Sequence, residues 1–478
     1  MLEHLLRREP IVAAGTLLLL NVFVAVAGAA VVKLTPKRDL AVQPPAVAQR
    51  AIVSPNGGTA AAGTAAPLPS AGTLAAQLTG PMQLAGAPIN AIVIDPTTRR
   101  VLYDQRSQIP LVPASTTKIV TSTAALAALG ADHRLTTKVV TSGQNRIVLV
   151  GGGDPTLASR PTSGFPKYAS LPDLAKRTAA ALKAAGTKRV RLDYDTSLYD
   201  GSRTGPGWKP NYIPEGSVAP VTALAVDEGR ARPNICEEDA TAPRAANPPV
   251  AAAQKFAQLL SRRGIQARLG SQVSGGGSGQ VGRGSAATKS ARQLAMVQSP
   301  PMTALVEHTL ECSDNDLAEA LARQVAIKQG RSADFAGAAQ AVHQVLAGIG
   351  VADGVQVYDG SGLSVRNRIS PSALARIVAL AASSRHPELR PVITGMPVAG
   401  FSGTLEDRYS GGGTHNGAGA VRAKTGTLSD VSTLAGLAYD ADGRVLAFAF
   451  MVNNVKSVAA ARVALDRLAS VVAGCGCR

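Results

Sequence analysis

Strand patterns stand near both ends of this 478-residue chain, with helical patterns between them. That arrangement restricts the fold more than any other feature. Early on, the apolar run from Ile89 to Ile94 reads as a strand, Asp95-Pro96-Thr97-Thr98 as a turn, and Arg99 to Asp104 as the returning strand. Near the other end, Thr433–Tyr439 and Arg444–Met451 flank Asp440-Ala441-Asp442-Gly443, the pattern of a hairpin. Helical spacing covers Ser115–Leu129, Leu171–Ala185 and Val250–Arg263. It resumes from Met302 through Asp314–Lys328 and Phe335–Ile349, and closes with Val455–Val472. A second hairpin is expected over Val139–Gly151 and a strand at Arg189–Tyr194, while residues 200–247 and the glycine-rich Gly275–Gly284 read as loops. These patterns predict an α+β domain whose sheet is assembled from the two termini. Aromatics are 3% and hydrophobic residues 45%, so the core must be built from Ala, Val, Leu and Ile, and wholesale disorder is excluded.

Before the first strand the composition changes twice. Ile11 to Val32 is 22 residues without a charge, long enough to span a bilayer as a helix. Arg7 and Arg8 precede it, and Ala25-Val26-Ala27 and Ala27-Gly28-Ala29 resemble cleavage sites. Residues 1–38 therefore read as an uncleaved anchor, with a long signal peptide as the alternative. The basic residues after the run (Lys33, Lys37, Arg38) outnumber those before it, which runs against export of the downstream part. Residues 39–80 are rich in Pro, Ala, Gly, Ser and Thr and read as a disordered tether.

Lys and Arg number 49 against 32 Asp and Glu, a net charge of +17, which suits an anionic membrane surface or cell wall. Nucleic acid is not expected as a partner, because the basic residues are scattered and few aromatics could stack on bases. Four cysteines, Cys236, Cys312, Cys475 and Cys477, fit disulfides in an exported protein, with three possible pairings, or free thiols. None has the spacing of a zinc site.

Three short motifs carry chemistry. Ser115-Thr116-Thr117-Lys118 sets a hydroxyl and an amine on one face of a helix start, where backbone N–H groups favour an oxyanion. Ser313-Asp314-Asn315 stands at a turn before a helix, and Lys424-Thr425-Gly426-Thr427 at a strand. Each alone is a common pattern: an N-cap, a capping turn, a polar strand entry. Together, in this order and context, S-x-x-K, S-D-N and K-T-G resemble the signature of penicillin-binding proteins and β-lactamases.

The resemblance extends to Gly151-Gly152-Gly153-Asp154-Pro155-Thr156-Leu157, Asp359-Gly360-Ser361-Gly362-Leu363-Ser364, and Pro397-Val398-Ala399-Gly400 with Gly403-Thr404-Leu405. Over about residues 81–470 the chain resembles the class C low-molecular-mass penicillin-binding proteins, the D-alanyl-D-alanine carboxypeptidases and endopeptidases of peptidase family S13. Ser115 and Ser313 are 198 residues apart, room for the large insertion that marks that family. The resemblance implies a penicillin-binding-protein/β-lactamase-like transpeptidase fold. Residues 81–130 and 286–478 would form the catalytic domain, and 131–285 an inserted accessory lobe. The chain departs from the family in its anchor and tether, and in Cys312 immediately before the second motif.

The family likeness assigns Ser115 as nucleophile. No histidine lies in a motif that could activate it, so Lys118 is the candidate base. It must be neutral to act, and burial together with the cation of Lys424 is expected to lower its pKa. By the same resemblance Ser313 relays a proton to the leaving amine, and Asn315 holds Lys118 and the substrate amide. Lys424 and Thr425 take the substrate carboxylate, and the N–H groups of Ser115 and Thr427 form the oxyanion hole. Asp359–Ser364 reads as a structural turn. The implied activity is D-Ala-D-Ala carboxypeptidase, possibly endopeptidase, on peptidoglycan stem peptides, with β-lactams as covalent inhibitors and no metal or cofactor. A secreted β-lactamase-like hydrolase and a non-catalytic, tethered cell-wall binding protein are the alternatives.

Overall fold

In the computed structural model, residues 66–230, 243–273 and 291–476 are described. The expected anchor, residues 1–38, and the tether as far as residue 65 lie outside them. Among the described residues no helix is long and apolar enough to cross a membrane.

Strands β1 (Asn90–Ile94) and β2 (Val101–Gln105) join β10 (Val421–Leu428), β11 (Val431–Tyr439) and β12 (Val445–Asn453) in one antiparallel sheet, ordered β10-β11-β12-β1-β2. The two ends of the chain do share a sheet: Asn90 pairs with Met451 and Ile94 with Ala447. All of β1 is buried because its alternate side chains enter two different cores. Ala91 and Val93 pack with Phe448, Phe450 and the closing helix, while Ile92 and Ile94 pack with Ala447, Ala449 and the helices between the motifs. Helices thus cover both faces, which explains an apolar run where a one-faced antiparallel sheet would alternate.

The first face carries α1 (Ala71–Thr79) and α9 (Val458–Gly474). Helix α1 corrects the tether expected to run to residue 80. Ser70 caps it by accepting from the Thr73 N–H, and Leu74 and Leu78, one turn apart, are fully buried. Two leucines at helical spacing sufficed to dock a segment whose overall composition resembles a linker.

Between the sheet's two halves the chain builds a second sheet, ordered β6-β5-β4-β3-β7. Its strands are β3 (Thr136–Thr141), β4 (Arg146–Val150), β5 (Arg189–Asp195), β6 (Gln266–Gln272) and β7 (Gln293–Gln298). Helices α3 (Leu171–Ala184) and α4 (Pro248–Ser261) bury Leu174, Leu182, Phe256 and Leu260 against it, forming a separate core. None of these strands joins the sheet that carries Lys424. Strand β7 extends the second sheet past residue 285, where the inserted lobe was expected to end.

The other face of the first sheet packs on α2 (Thr117–Leu129), α5 (Met302–Glu311), α6 (Asn315–Lys328), α7 (Phe335–Gly348) and α8 (Pro371–Ala381). Gly130, at φ 86°, ends α2, and the Asp314 carboxylate caps α6 through the Leu317 N–H. The short pair β8 (Val355–Gln356) and β9 (Arg368–Ile369) brackets the loop Asp359–Ser364. Among the described residues no cysteine is free: Cys312 and Cys475 are both disulfide-bonded.

Gly362 marks the closest approach of that loop to the first motif. Its φ is 90°, and a Cβ there would lie 1.9 Å from the Ala114 carbonyl oxygen. Gly362→Ala is therefore expected to lose about 2–4 kcal/mol of stability and to displace Ser115. Urea unfolding and the rate of β-lactam labelling together check this.

Candidate active site

Ser115 lies in a 3₁₀ turn, Ala114–Thr116, that leads directly into α2. The turn is tied to the sheet: Thr433 Oγ1 donates to the Pro113 carbonyl at 2.8 Å. Strand β10 runs so close to it that a Cβ on Gly426 would sit 3.1 Å from the Ser115 nitrogen. Ser115 is half-buried, while Lys118, one turn on, is fully buried.

Among the described residues the Lys118 ammonium makes three hydrogen bonds, none of them to a carboxylate. Its Nζ donates to Ser115 Oγ at 3.0 Å, to Asn315 Oδ1 at 2.6 Å and to the Ser361 carbonyl at 2.8 Å. Burial lowers its pKa to about 8, against the pull of four nearby carboxylates, those of Asp359, Asp314, Glu319 and Asp316. Burial acts as expected, but the Lys424 cation is not among the leading influences. Desolvation lowers the value, and the charges acting most strongly on Lys118 are carboxylates that raise it, rather than the cation of Lys424.

Asn315 begins α6, and its Nδ2 donates to the Ser217 carbonyl at 2.8 Å, which turns Oδ1 toward Lys118. Ser313 sits at the preceding turn with φ 54°. Among the described residues its hydroxyl makes no hydrogen bond to Ser115, Lys118 or Asn315, while Lys118 bonds both Ser115 and Asn315 directly. Across the site, Lys424 is buried in β10 with Nζ donating to the Thr425 carbonyl at 3.0 Å. Thr425 Oγ1 lies 2.9 Å from Thr404 Oγ1, and Thr427 is exposed at the mouth.

Several contributors were not expected. Asp359–Ser364, taken as a turn, delivers the Ser361 carbonyl to Lys118. The Asp359 carboxylate organises that loop, accepting from Trp208 Nε1, Gly362 N, Ser364 N and Asn367 Nδ2 at 2.7–3.0 Å. The insertion also reaches the site, through Trp208, Ser217 and the Ala219 N–H, which donates to Asp316 Oδ1. Trp208, the single tryptophan of a chain poor in aromatics, was the available signal.

Behind the second motif stands a charged cluster. His308 Nε2 lies 3.5 Å from Asp314 and 3.7 Å from Glu228, and its Nδ1 faces the Tyr168 hydroxyl at 3.2 Å and Cys312 Sγ at 3.3 Å. Burial disfavours the imidazolium, but the hydrogen bonds and charges of Asp314 and Glu228 outweigh it and push the pKa up to about 10. Asp314 is in turn held well below the usual carboxylate range, with the His308 contact overcoming its burial. The ligand atoms of Glu228, His308 and Asp314 lie within 4.8 Å of one another, near enough to hold a cation. A proton retained on His308, together with Arg230 and Arg244 beside Glu228, offsets the charge of the two carboxylates.

Because the folded-state pKa of His308 is raised, its stabilising contribution is complete below about pH 6.5 and is lost as pH rises through about 10. Wild type is expected to lose more thermal stability between pH 8 and 10.5 than His308→Gln does. Melting curves across that range check it.

The D-Ala-D-Ala carboxypeptidase 3 (S13) family model matches residues 71–274 and 233–473. The chain belongs to the S13 family. Its activity is that of a serine-type D-Ala-D-Ala carboxypeptidase, acting outside the cytoplasm. Carboxypeptidase Rv3627c of Mycobacterium tuberculosis is 35% identical over 444 residues, covering 91% of this chain and 89% of that protein. Carboxypeptidase DacB of Mycolicibacterium smegmatis is 36% identical over 396 residues, covering 81% of each. The fold is that of penicillin-binding protein 4 from Haemophilus influenzae, with a TM-score of 0.65 at 22% identity over 83% of this chain and 97% of that one. The three motif segments all lie within the S13 match.

Proposed function

We propose that Ser115 is the nucleophile that this S13 carboxypeptidase acylates with a peptidoglycan stem peptide, and that Lys118 is its base. The observation carrying this reading is the 3.0 Å contact from Lys118 Nζ to Ser115 Oγ, with the lysine buried and its pKa brought down to about 8. Neutral Lys118 takes the hydroxyl proton as Oγ attacks the carbonyl of the penultimate D-alanine. The N–H groups of Ser115 and Thr427 hold the developing oxyanion. Collapse breaks the peptide bond, the leaving amine receives a proton by way of Ser313, and free D-alanine departs. Water then hydrolyses the ester. Lys424 and Thr425 bind the terminal carboxylate, and Asn315 positions both Lys118 and the substrate amide.

The same attack on a β-lactam carbonyl gives a covalent adduct, which fits the reported complex of the Haemophilus influenzae protein with a β-lactam. Residues 131–285 act as an accessory lobe, and residues 1–38 as the anchor. The excess of basic residues holds the enzyme near an anionic wall or membrane surface. Cleavage of D-alanyl cross-links, an endopeptidase activity, uses the same acyl-enzyme. Incubation of the full chain with a pentapeptide ending in D-Ala-D-Ala is expected to release D-alanine and to leave the tetrapeptide. No release from the D-Ala-D-Ala peptide, with intact folding, would overturn this reading.

A further inference from the structure

One helix face supplies more to the site than Asn315. Glu319 lies one turn further along α6, is fully buried, and points at the loop that carries Ser361. Its Oε1 accepts from the Gly360 N–H at 3.0 Å and the Ser361 N–H at 2.9 Å. The Ser361 carbonyl is one of the three acceptors around Lys118 Nζ. The loop lies so close to the helix here that a Cβ on Gly360 would meet the Ala318 carbonyl at 2.6 Å. Asn315 is thus itself one acceptor of Lys118, and Glu319 anchors the residue that carries another, beside the Asp359 carboxylate on the Gly362 N–H.

The charge on Glu319 is costly to keep: burial, with Asp359 nearby, pushes its pKa up to about 7, so the carboxylate is ionised mainly above that pH. Its partner Arg323, one more turn along, is also fully buried and meets Glu319 Oε2 at only 3.4 Å. Arg323 Nε and Nη2 have no hydrogen-bond partner among the described residues, and its guanidinium lies over the rings of Phe335 at 4.1 Å and Tyr199 at 5.6 Å. A buried pair so incompletely satisfied is weak evidence for stability, and an apolar pair would fill the space at no electrostatic cost. Its geometry serves the loop and Lys118 instead.

We propose that Glu319 is a positioning residue: it holds the loop segment that presents the Ser361 carbonyl to Lys118, and its carboxylate charge raises the pH at which Lys118 gives up its proton. This rests on the reading of Lys118 as the base. Other charges face Lys118 as well: Asp359 from the loop, Asp314 and Asp316 from the start of α6, and Lys424 from β10 across the site. Glu319 itself is faced by Arg323 and Asp359, and Arg323 by Asp334. Asp359 holds the peptide group that contains the Ser361 carbonyl, through the Gly362 N–H, and Glu319 holds the two N–H groups just before it, those of Gly360 and Ser361. Removing its charge should ease deprotonation of Lys118, since a neighbouring anion favours the ammonium.

The test is the second-order rate of acylation by a labelled penicillin, measured against pH on the full chain. Glu319→Gln keeps an acceptor for the two N–H groups and removes the charge. Its acidic limb is expected to move down by half a pH unit or more. Glu319→Gln combined with Arg323→Met leaves no unpaired buried cation, guards against a folding failure of the single variant, and is expected to shift the limb in the same direction. Glu319→Ala frees the Ser361 peptide and is expected to acylate at least tenfold more slowly on the plateau. A limb unmoved in both glutamine variants, or wild-type rates in Glu319→Ala, overturns the proposal. Lys118→Ala separates the two readings. If it acylates at the wild-type rate, Lys118 is not the base and both readings fall. If it is inert while the limbs stay in place, the proposal for Glu319 alone falls.

Discussion

Ser115→Ala is expected to abolish both covalent labelling by penicillin and D-alanine release, a loss of about 10⁴-fold or more. The geometry makes the loss this large because, among the described residues, Ser115 is the one hydroxyl hydrogen-bonded to the Lys118 amine. Its other partners are an amide oxygen and a backbone carbonyl, at 2.6 Å and 2.8 Å, and neither can form the ester. The substitution removes one hydroxyl from a half-buried turn held by Thr433 and by Gly362, so the melting temperature should stay near that of the wild type. Mass spectrometry of the labelled protein reads the result directly. Label retained in the alanine variant would show that another residue carries the acyl group.

The second large effect concerns Lys118 and pH. With burial bringing its pKa to about 8, only the fraction that is neutral can accept the Ser115 proton. The acylation rate of the free enzyme should reach a plateau above about pH 8 and fall tenfold for each unit below it. Lys118→Ala should lose about 10²–10⁴-fold at the plateau, with little change in ground-state binding. Lys424→Ala should behave differently. It removes a cation for the substrate carboxylate and weakens binding, but it leaves in place the desolvation that lowers Lys118. Its acidic limb should therefore lie close to that of the wild type. A wild-type profile flat from pH 5 to 9 would refute the assignment of Lys118 as base.

How much of this could be read from the residues depends on whether side chains or backbone atoms carry the function. Ser115, Lys118 and Asn315 were legible because their side chains make the contacts and their spacing matches a helix start and a capped turn. The Ser361 and Ser217 carbonyls were not, since a backbone oxygen leaves no mark on residue type. Glu319 looked like any polar position of Asp314–Lys328, and only the folded loop shows what its two acceptor bonds hold. The strands of the first sheet announced themselves through apolar runs and a turn. Gln266–Gln272 and Gln293–Gln298 did not, because their exposed faces break the apolar signal and a glycine interrupts the first. Helix α1 was hidden for the opposite reason: two buried leucines decide its docking within a segment of small residues. Burial of Lys118 was foreseeable, but the carboxylates that oppose it were not, because Asp314, Asp316, Glu319 and Asp359 lie about 200 or more residues away in sequence.

The pairing of Asn90 with Met451 has a consequence for how the protein comes into being. β1 sits between β2 and β12, and the partner on its second side is 361 residues further along the chain. At a synthesis rate of roughly 5–20 residues per second, β1 waits roughly 20–70 s before that partner exists. Until then β1 can be covered by the β2 hairpin and the helices made before β12, but not by β12 or the closing helix. The second sheet, whose strands span residues 136–298, can close much earlier as a unit. Ser115 and Lys424 meet only when the C-terminal hairpin arrives, so the nascent enzyme stays inert until its last strands have been made.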